Sequence, residues 1–264
     1  MKYPKMVRIK QHFTTSPIED IPAKIRSELA GIQPQKIIAP GDSVAITAGS
    51  RGIANLAVIM AEIVRELKKI GAKPFIIPAM GSHGGATPEG QKKILEHYGI
   101  TQKTVGVPIK SSLNVVQIGS TPDGIPVYLD RNASKADHIV VVNRVKPHTD
   151  FKGKFESGLM KMMVIGLGKQ KGADHYHNVI VRRGHYPVLL SVAREILQRY
   201  DIWKSVAPSI RNRIEKGCKG QIEDTPQRGD AIFSNGSQVL VGTNLHALKA
   251  AAGAAAGLGY HPLI

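Results

Sequence analysis

The chain of 264 residues has a single cysteine, Cys218, so no internal disulfide can form and a reducing compartment suits it. Long hydrophobic runs are also missing. The longest, such as HIVVVNRV starting at His138, are strand-sized and fall far short of the ~20 residues that cross a bilayer. The opening MKYPKMVRIKQHF carries early charge without an apolar core, which argues against a secretory signal, and the cytoplasm is the default expectation. Acids are few: 20 Asp and Glu stand against 36 Lys and Arg, for a formal net charge of +16. Such a balance favours anionic partners. Aromatics, at 5%, are too sparse for the interleaving of rings and cations that marks a base-stacking nucleic-acid binder. Small phosphate- or carboxylate-bearing molecules therefore fit better than nucleic acid, and no membrane partner is expected.

What is present is an alternation of strands and helices. PIEDIPAKIRSELAG (17–31) is amphipathic, with Ile18, Ile21, Ile25 and Leu29 at helical spacing and Pro22 marking where the regular part can begin. Val44 to Thr47 is a short apolar strand, and Ile53 to Ile70 a long helix stopped by Gly71. PFIIPAM is the next strand. It runs into GSHGGATPEG and a helix from Pro88 to Tyr98, with Thr87 as its N-cap. NVVQIG (114–119) and PVYLD (126–130) flank a Thr-Pro-Asp-Gly turn and predict a hairpin. HIVVVNRV (138–145) is apolar enough for a central strand. A helix around Leu159 to Ile165, a loop GLGKQKGADHYHN and a helix from Pro187 to Arg199 follow. The pattern predicts an α/β fold: an open, mostly parallel sheet with helices on both faces. In such sheets ligands bind beyond the carboxyl ends of the strands. Those ends carry Ser50-Arg51, His83 and His148.

Each candidate residue has a plain reading beside its chemical one. The loop GSHGGATPEG could cradle an anion on its N–H groups, yet it matches neither phosphate-binding glycine motif, and Gly81, Gly84 and Gly85 could simply make a tight turn. His83, set among glycines, has little apolar company. His148 follows a strand end, where it could be a backbone-bonded histidine. Lys161, inside LMKMMVIG, could snorkel to water or serve as a covalent attachment point. His175 and His177, in DHYHN, offer a metal ligand or a surface segment. Trp203 and the methionines Met160, Met162 and Met163 read as core filling. From the residues alone the reading is an anion-binding α/β enzyme, open to metal assistance.

TAGSRG (47–52), PAMGSHGGATPEG (78–90) and VNRVKPHTDFKGKFESGLMKMMVIGLGKQKGADHYHN (142–178) together resemble the N-terminal domain of the nickel-dependent lactate racemase family, over about residues 1–195. The resemblance implies a nickel-pincer nucleotide (nickel pyridinium-3,5-bisthiocarboxylic acid mononucleotide) linked to Lys161 as a thioamide. It puts the metal histidine at His177, with His175 as its rival, and the acid/base pair at His83 and His148. Arg51 matches an arginine near the cofactor and substrate anions, and Ser50, Gly84 and Gly85 fall beside the cofactor. A histidine on each face of a planar keto acid would support racemisation near neutral pH, and nickel accepts imidazole. The sequence departs from the family at Ala48-Gly49-Ser50-Arg51, where Asp-His-Thr-Arg is usual, and in the inserted TDFKGKFE before Lys161.

From about Ile196 the chain changes character. ILQRYDIWKSVAPSIRNRIEKGCKGQIEDTPQRGD and VLVGTNLHALKAAAGAAAGLGYHPLI resemble an internal piece of the glycerate 2-kinase family that carries a MOFRL part. A linker, a strand QVLVG and an Ala-rich helix (245–256) predict a βαβ-like fragment, with Gly242-Thr243-Asn244 at its strand–helix turn. The expectation is then two units, 1–195 and 196–264, the second a remnant standing where the racemase family has its closing domain. The leading expectation is an isomerase: a racemase or epimerase of small anionic 2-hydroxy acids, served by cofactor-synthesis and loading proteins, with homo-oligomers allowed. The alternatives are an inactive cofactor- or anion-binding fragment and a glycerate kinase-like phosphotransferase.

Overall fold

The computed structural model describes residues 18–50, 53–143 and 158–199, together with the strands at 231–234 and 238–241. Its centre is three parallel strands in the order β2–β1–β5: β1 (Ser43–Ala48), β2 (Lys73–Pro78) and β5 (His138–Val142). Each is mostly apolar past its first residue because the sheet is covered on both faces. Ala45, Phe75, Ile77, Ile139 and Val141 point into one core layer. Val44, Ile46, Ala48, Ile76, Val140 and Val142 point into the other. The strand β7 (Gln238–Val241) pairs parallel with β5, and β6 (Ala231–Ser234) pairs antiparallel with β7. QVLVG is thus a strand as the sequence predicts. Its partner β6 was not anticipated, and the predicted Ala-rich helix and Gly242-Thr243-Asn244 lie outside the described residues.

The second layer is covered by α1 (Ile21–Ile32) and α2 (Leu56–Lys69), with Leu95 and Val105 from α3 (Pro88–His97) and α4 (Gln102–Val105). Asp20 caps α1 through the Ala23 N–H, and Thr87 caps α3 through the Gly90 N–H. Helix α2 seals its apolar stripe but carries one buried acid, Glu62, which pairs with Arg26 of α1 at 3.0 Å. At the amino ends of the strands, Asp137 accepts hydrogen bonds from the Ser43 N–H and hydroxyl at 2.8 and 2.7 Å, and Asp42 pairs with His138 at 2.8 Å. These contacts set the β1–β5 register at the edge opposite the candidate site.

The first layer is covered by the hairpin β3 (Val115–Ser120) and β4 (Pro126–Asp130), then by α5 (Leu159–Lys161), a π turn (Met162–Gly166), α6 (Leu167–Arg183) and α7 (His185–Arg199). The hairpin is as predicted, but forms its own two-stranded antiparallel sheet. The segment GLGKQKGADHYHN does not form the loop expected of it: it is helical throughout, except at Lys169, where φ is 55° and ψ −159°. Its glycines explain the reversal. The ring of Tyr176 lies so close to Gly168 and Gly172 that added Cβ atoms would meet it at 3.2 and 3.0 Å. Tight packing against a fully buried aromatic thus overrides the poor helix propensity of glycine. The Tyr176 hydroxyl accepts the Tyr128 N–H at 2.8 Å, tying α6 to β4, and burial pushes its pKa well above the ordinary phenol value. Tyr176→Phe should therefore strand a buried donor and cost about 1–3 kcal/mol, read as a lower urea midpoint with an unchanged slope; an unchanged midpoint would mean the bond is not formed.

Candidate functional site

Three strand ends converge on one edge. After β1 the chain passes Gly49 and Ser50; after β2 it passes Ala79 to His83; after β5 it reaches Asn143. Asn143 donates through Nδ2 to the Gly158 carbonyl at 2.7 Å, which fixes where α5 starts and hence where Lys161 projects. The π turn that follows lies directly on the other two strand ends. A Cβ on Gly166 would sit 2.7 Å from the Ala79 carbonyl, and one on Gly49 would meet the Met162 side chain at 3.0 Å. π turns are rare and recur at functional sites.

Ser50 and His83, predicted separately from two strand ends, are hydrogen-bonded to each other through Ser50 Oγ and His83 Nδ1. The Ser50 carbonyl in turn accepts the Tyr98 hydroxyl at 2.8 Å, so the helix after the Gly-rich loop holds the serine that holds the histidine. The loop itself is compact: Gly84 has φ +70°, and a Cβ there would lie 2.7 Å from the Gln91 nitrogen. Gly84 and Gly85 both adopt positive φ, as the tight-turn reading requires. Arg51 and His148 lie outside the described residues.

Lys161 is half-buried amid Leu159, Met160, Met162, Met163 and Val164, all buried. Its ammonium lowers the pKa of His177, second to desolvation and against the opposing charge of Asp174. His177 is exposed, and the partial desolvation by the protein around it is the larger cause of its lowered pKa. His175, two residues earlier, points elsewhere: its ring stands edge-on to Tyr128 and Tyr176, with centroids 6.2 and 5.9 Å away. The π turn and the break at Lys169 bend this stretch, so that Ile165 and Ala173 both lie over Gly81, where an added Cβ would meet them at 3.2 and 3.4 Å.

Three buried polar residues next to the site escaped the sequence reading. Lys169 is fully buried, 3.1 Å from Asp130 Oδ2, and donates to the Pro78 carbonyl; Gln91 Oε1 is 3.4 Å away. Burial lowers the Lys169 pKa and the Asp130 charge opposes that fall. Gln91, also fully buried, donates through Nε2 to the Gly81 and His83 carbonyls at 2.9 and 3.2 Å. A lysine between glycines in GLGK and an aspartate closing PVYLD were the available signals, and neither names its partner. Among the described residues, no group of three or more His, Cys, Asp or Glu side chains could hold a metal ion, and no helix is long and apolar enough to cross a membrane.

Residues 6–186 match the family model for the lactate racemase N-terminal domain, and the chain belongs to that family. Its fold is similar to that of the lactate racemase apoprotein from Thermoanaerobacterium thermosaccharolyticum, with a TM-score of 0.52 at 18% identity over 67% of this chain. The match covers 46% of that protein, so the chain spans about half its length. A segment of 78 residues is 33% identical to a glycerate 2-kinase from Pyrococcus horikoshii, covering 30% of this chain and 17% of the kinase.

The Lys161 charge disfavours the imidazolium of His177, so removing it should favour protonation. Lys161→Gln is expected to raise the His177 pKa toward the ordinary imidazole value in an NMR titration, and an unmoved pKa would show that the two side chains do not interact.

Proposed function

We propose that this member of the lactate racemase N-terminal domain family is the cofactor-bearing part of a racemase or epimerase of small anionic 2-hydroxy acids. The observation that carries the reading is the Ser50–His83 hydrogen bond at the strand ends, with the π turn that follows Lys161 packed directly on those ends at Gly49 and Ala79. The donor chemistry fits a lysine-linked nickel-pincer nucleotide. Such a group brings most of its own metal donors and needs one neutral imidazole, whereas the described side chains offer no set of three or more. His177 is then the ligand in preference to His175, whose ring is engaged with two tyrosines. When bound, the nucleotide would supply a reversible hydride acceptor.

The chain's own residues do the rest. Ser50 engages His83 Nδ1, which orients the ring and directs Nε2 to the proton of the substrate hydroxyl. His148 is assigned the matching role on the opposite face, and Arg51 binds carboxylate or phosphate. The positive loop glycines let backbone N–H groups approach an anion without a side chain intervening. The basic excess of the chain draws such anions in.

Protein made together with the pincer-synthesis and loading proteins should carry nickel and a covalent mass adduct on the peptide containing Lys161. Lys161→Ala should lose both. His83→Gln should keep the adduct and lower racemisation of the 2-hydroxy acid substrate by about 10²–10⁴-fold. Unmodified Lys161 in a host that loads a related racemase would refute the proposal. A binding-only role is the second reading, and it predicts a loaded adduct without racemisation. The kinase-like segment predicts instead nucleotide-dependent phosphorylation of glycerate.

A further inference from the structure

The Gly-rich loop that carries His83 has no apolar side chain of its own to anchor it, since Gly81, Ser82, Gly84 and Gly85 surround the histidine. It is nevertheless held by a polar chain that begins on a different layer of the fold. Asp130, closing β4, is fixed by the Asn132 and Ala133 N–H groups on Oδ1, at 2.7 and 2.9 Å. Its Oδ2 lies 3.1 Å from the Lys169 ammonium. That ammonium donates to the Pro78 carbonyl at the end of β2 and reaches Gln91 Oε1 at 3.4 Å. The ammonium thus has two hydrogen-bond acceptors and one ion-pair partner, all from protein. Gln91 completes the path by donating Nε2 to the carbonyls of Gly81 and of His83 itself.

Two features show that this arrangement is costly to build. Asp130, Lys169 and Gln91 each have zero exposure, and a buried charge pair must overcome a large desolvation penalty. Lys169 also adopts a φ of 55° in the middle of a helix, a conformation that L residues hold only when their surroundings enforce it. Hydrophobic residues could close the same space without either cost. What they could not do is donate to the oxygen of a side-chain amide that in turn grips a glycine loop by its carbonyls.

We propose that Lys169 and Gln91 are positioning residues that hold the backbone of His83, so that its ring meets Ser50 and the substrate in one orientation. This rests on the acid/base role given above to His83. Lys169 acts only through Gln91 and Pro78, and touches no reacting atom. The break in α6 at Lys169 brings its ammonium to Pro78 and Gln91, beside the strand end that leads into the His83 loop.

The test uses the whole chain with two variants. Gln91→Met keeps the volume and leaves the Lys169–Asp130 pair intact. Lys169→Met combined with Asp130→Asn removes both charges together, so no lone buried ion is left to unfold the protein. Amide hydrogen exchange across residues 81–87 should accelerate at least tenfold in Gln91→Met. The NMR titration of His83 should shift, while those of His97 and His138 stay fixed. In loaded protein the variant should lower kcat tenfold or more with KM within twofold, at an unchanged extent of Lys161 modification. The double variant should reproduce the His83 shift. Unchanged loop exchange and an unchanged His83 titration in Gln91→Met would overturn the proposal, as would equal shifts of all three histidines. If the loop loosens selectively but no variant or parent racemises anything, the positioning role stands and the racemase reading falls.

Discussion

A lysine ammonium sealed from water is tolerated only when charge and hydrogen bonds replace its solvent, at a desolvation cost of several kcal/mol. Lys169 is placed in that way, against Asp130, the Pro78 carbonyl and Gln91, and on a backbone conformation that interrupts its own helix. The rest of the site depends on that interruption. With the π turn just before it, the break lets Ile165 and Ala173 both pack over Gly81 at the end of β2, although a straight helix would hold the two ~12 Å apart.

The parallel sheet supplies the other half of the geometry. Because β1, β2 and β5 run the same way, the segments leaving their carboxyl ends emerge at one edge, and Ser50, His83 and the start of α5 are gathered there by topology alone. The opposite edge is closed by Ser43, Asp137, Asp42 and His138, which hold register and stand apart from the site. Stability contacts and chemistry are thereby separated along the strand axis, as is general for open α/β sheets.

Much of this was legible in the sequence. The strands read directly from their apolar runs, α1 to α3 from helical spacing and caps, and the hairpin from Thr-Pro-Asp-Gly. Ser50 and His83 were singled out from strand ends that pairing brings together. The helical nature of GLGKQKGADHYHN was not legible, because it depends on a tyrosine ring packing over two glycines from within the same helix. Lys169, Asp130 and Gln91 were missed for a related reason: a buried polar network is a property of three elements meeting, and each residue by itself looks like an ordinary surface side chain. The preference for His177 over His175 came from the family resemblance, and the fold adds that the His175 ring stands against Tyr128 and Tyr176. Arg51 and His148 rest on the family resemblance.

The proposed approach of Lys161 to His177 can be measured directly. In a Cys218→Ser background, cysteines introduced at Lys161 and His177 would be treated with a bifunctional maleimide whose reach is well under the ~24 Å of a straight helix. Efficient internal crosslinking, seen as one linked peptide pair by mass spectrometry, is the predicted result. Independent labelling of both cysteines without a crosslink would contradict the account, because Lys161 and His177 would then not share a site.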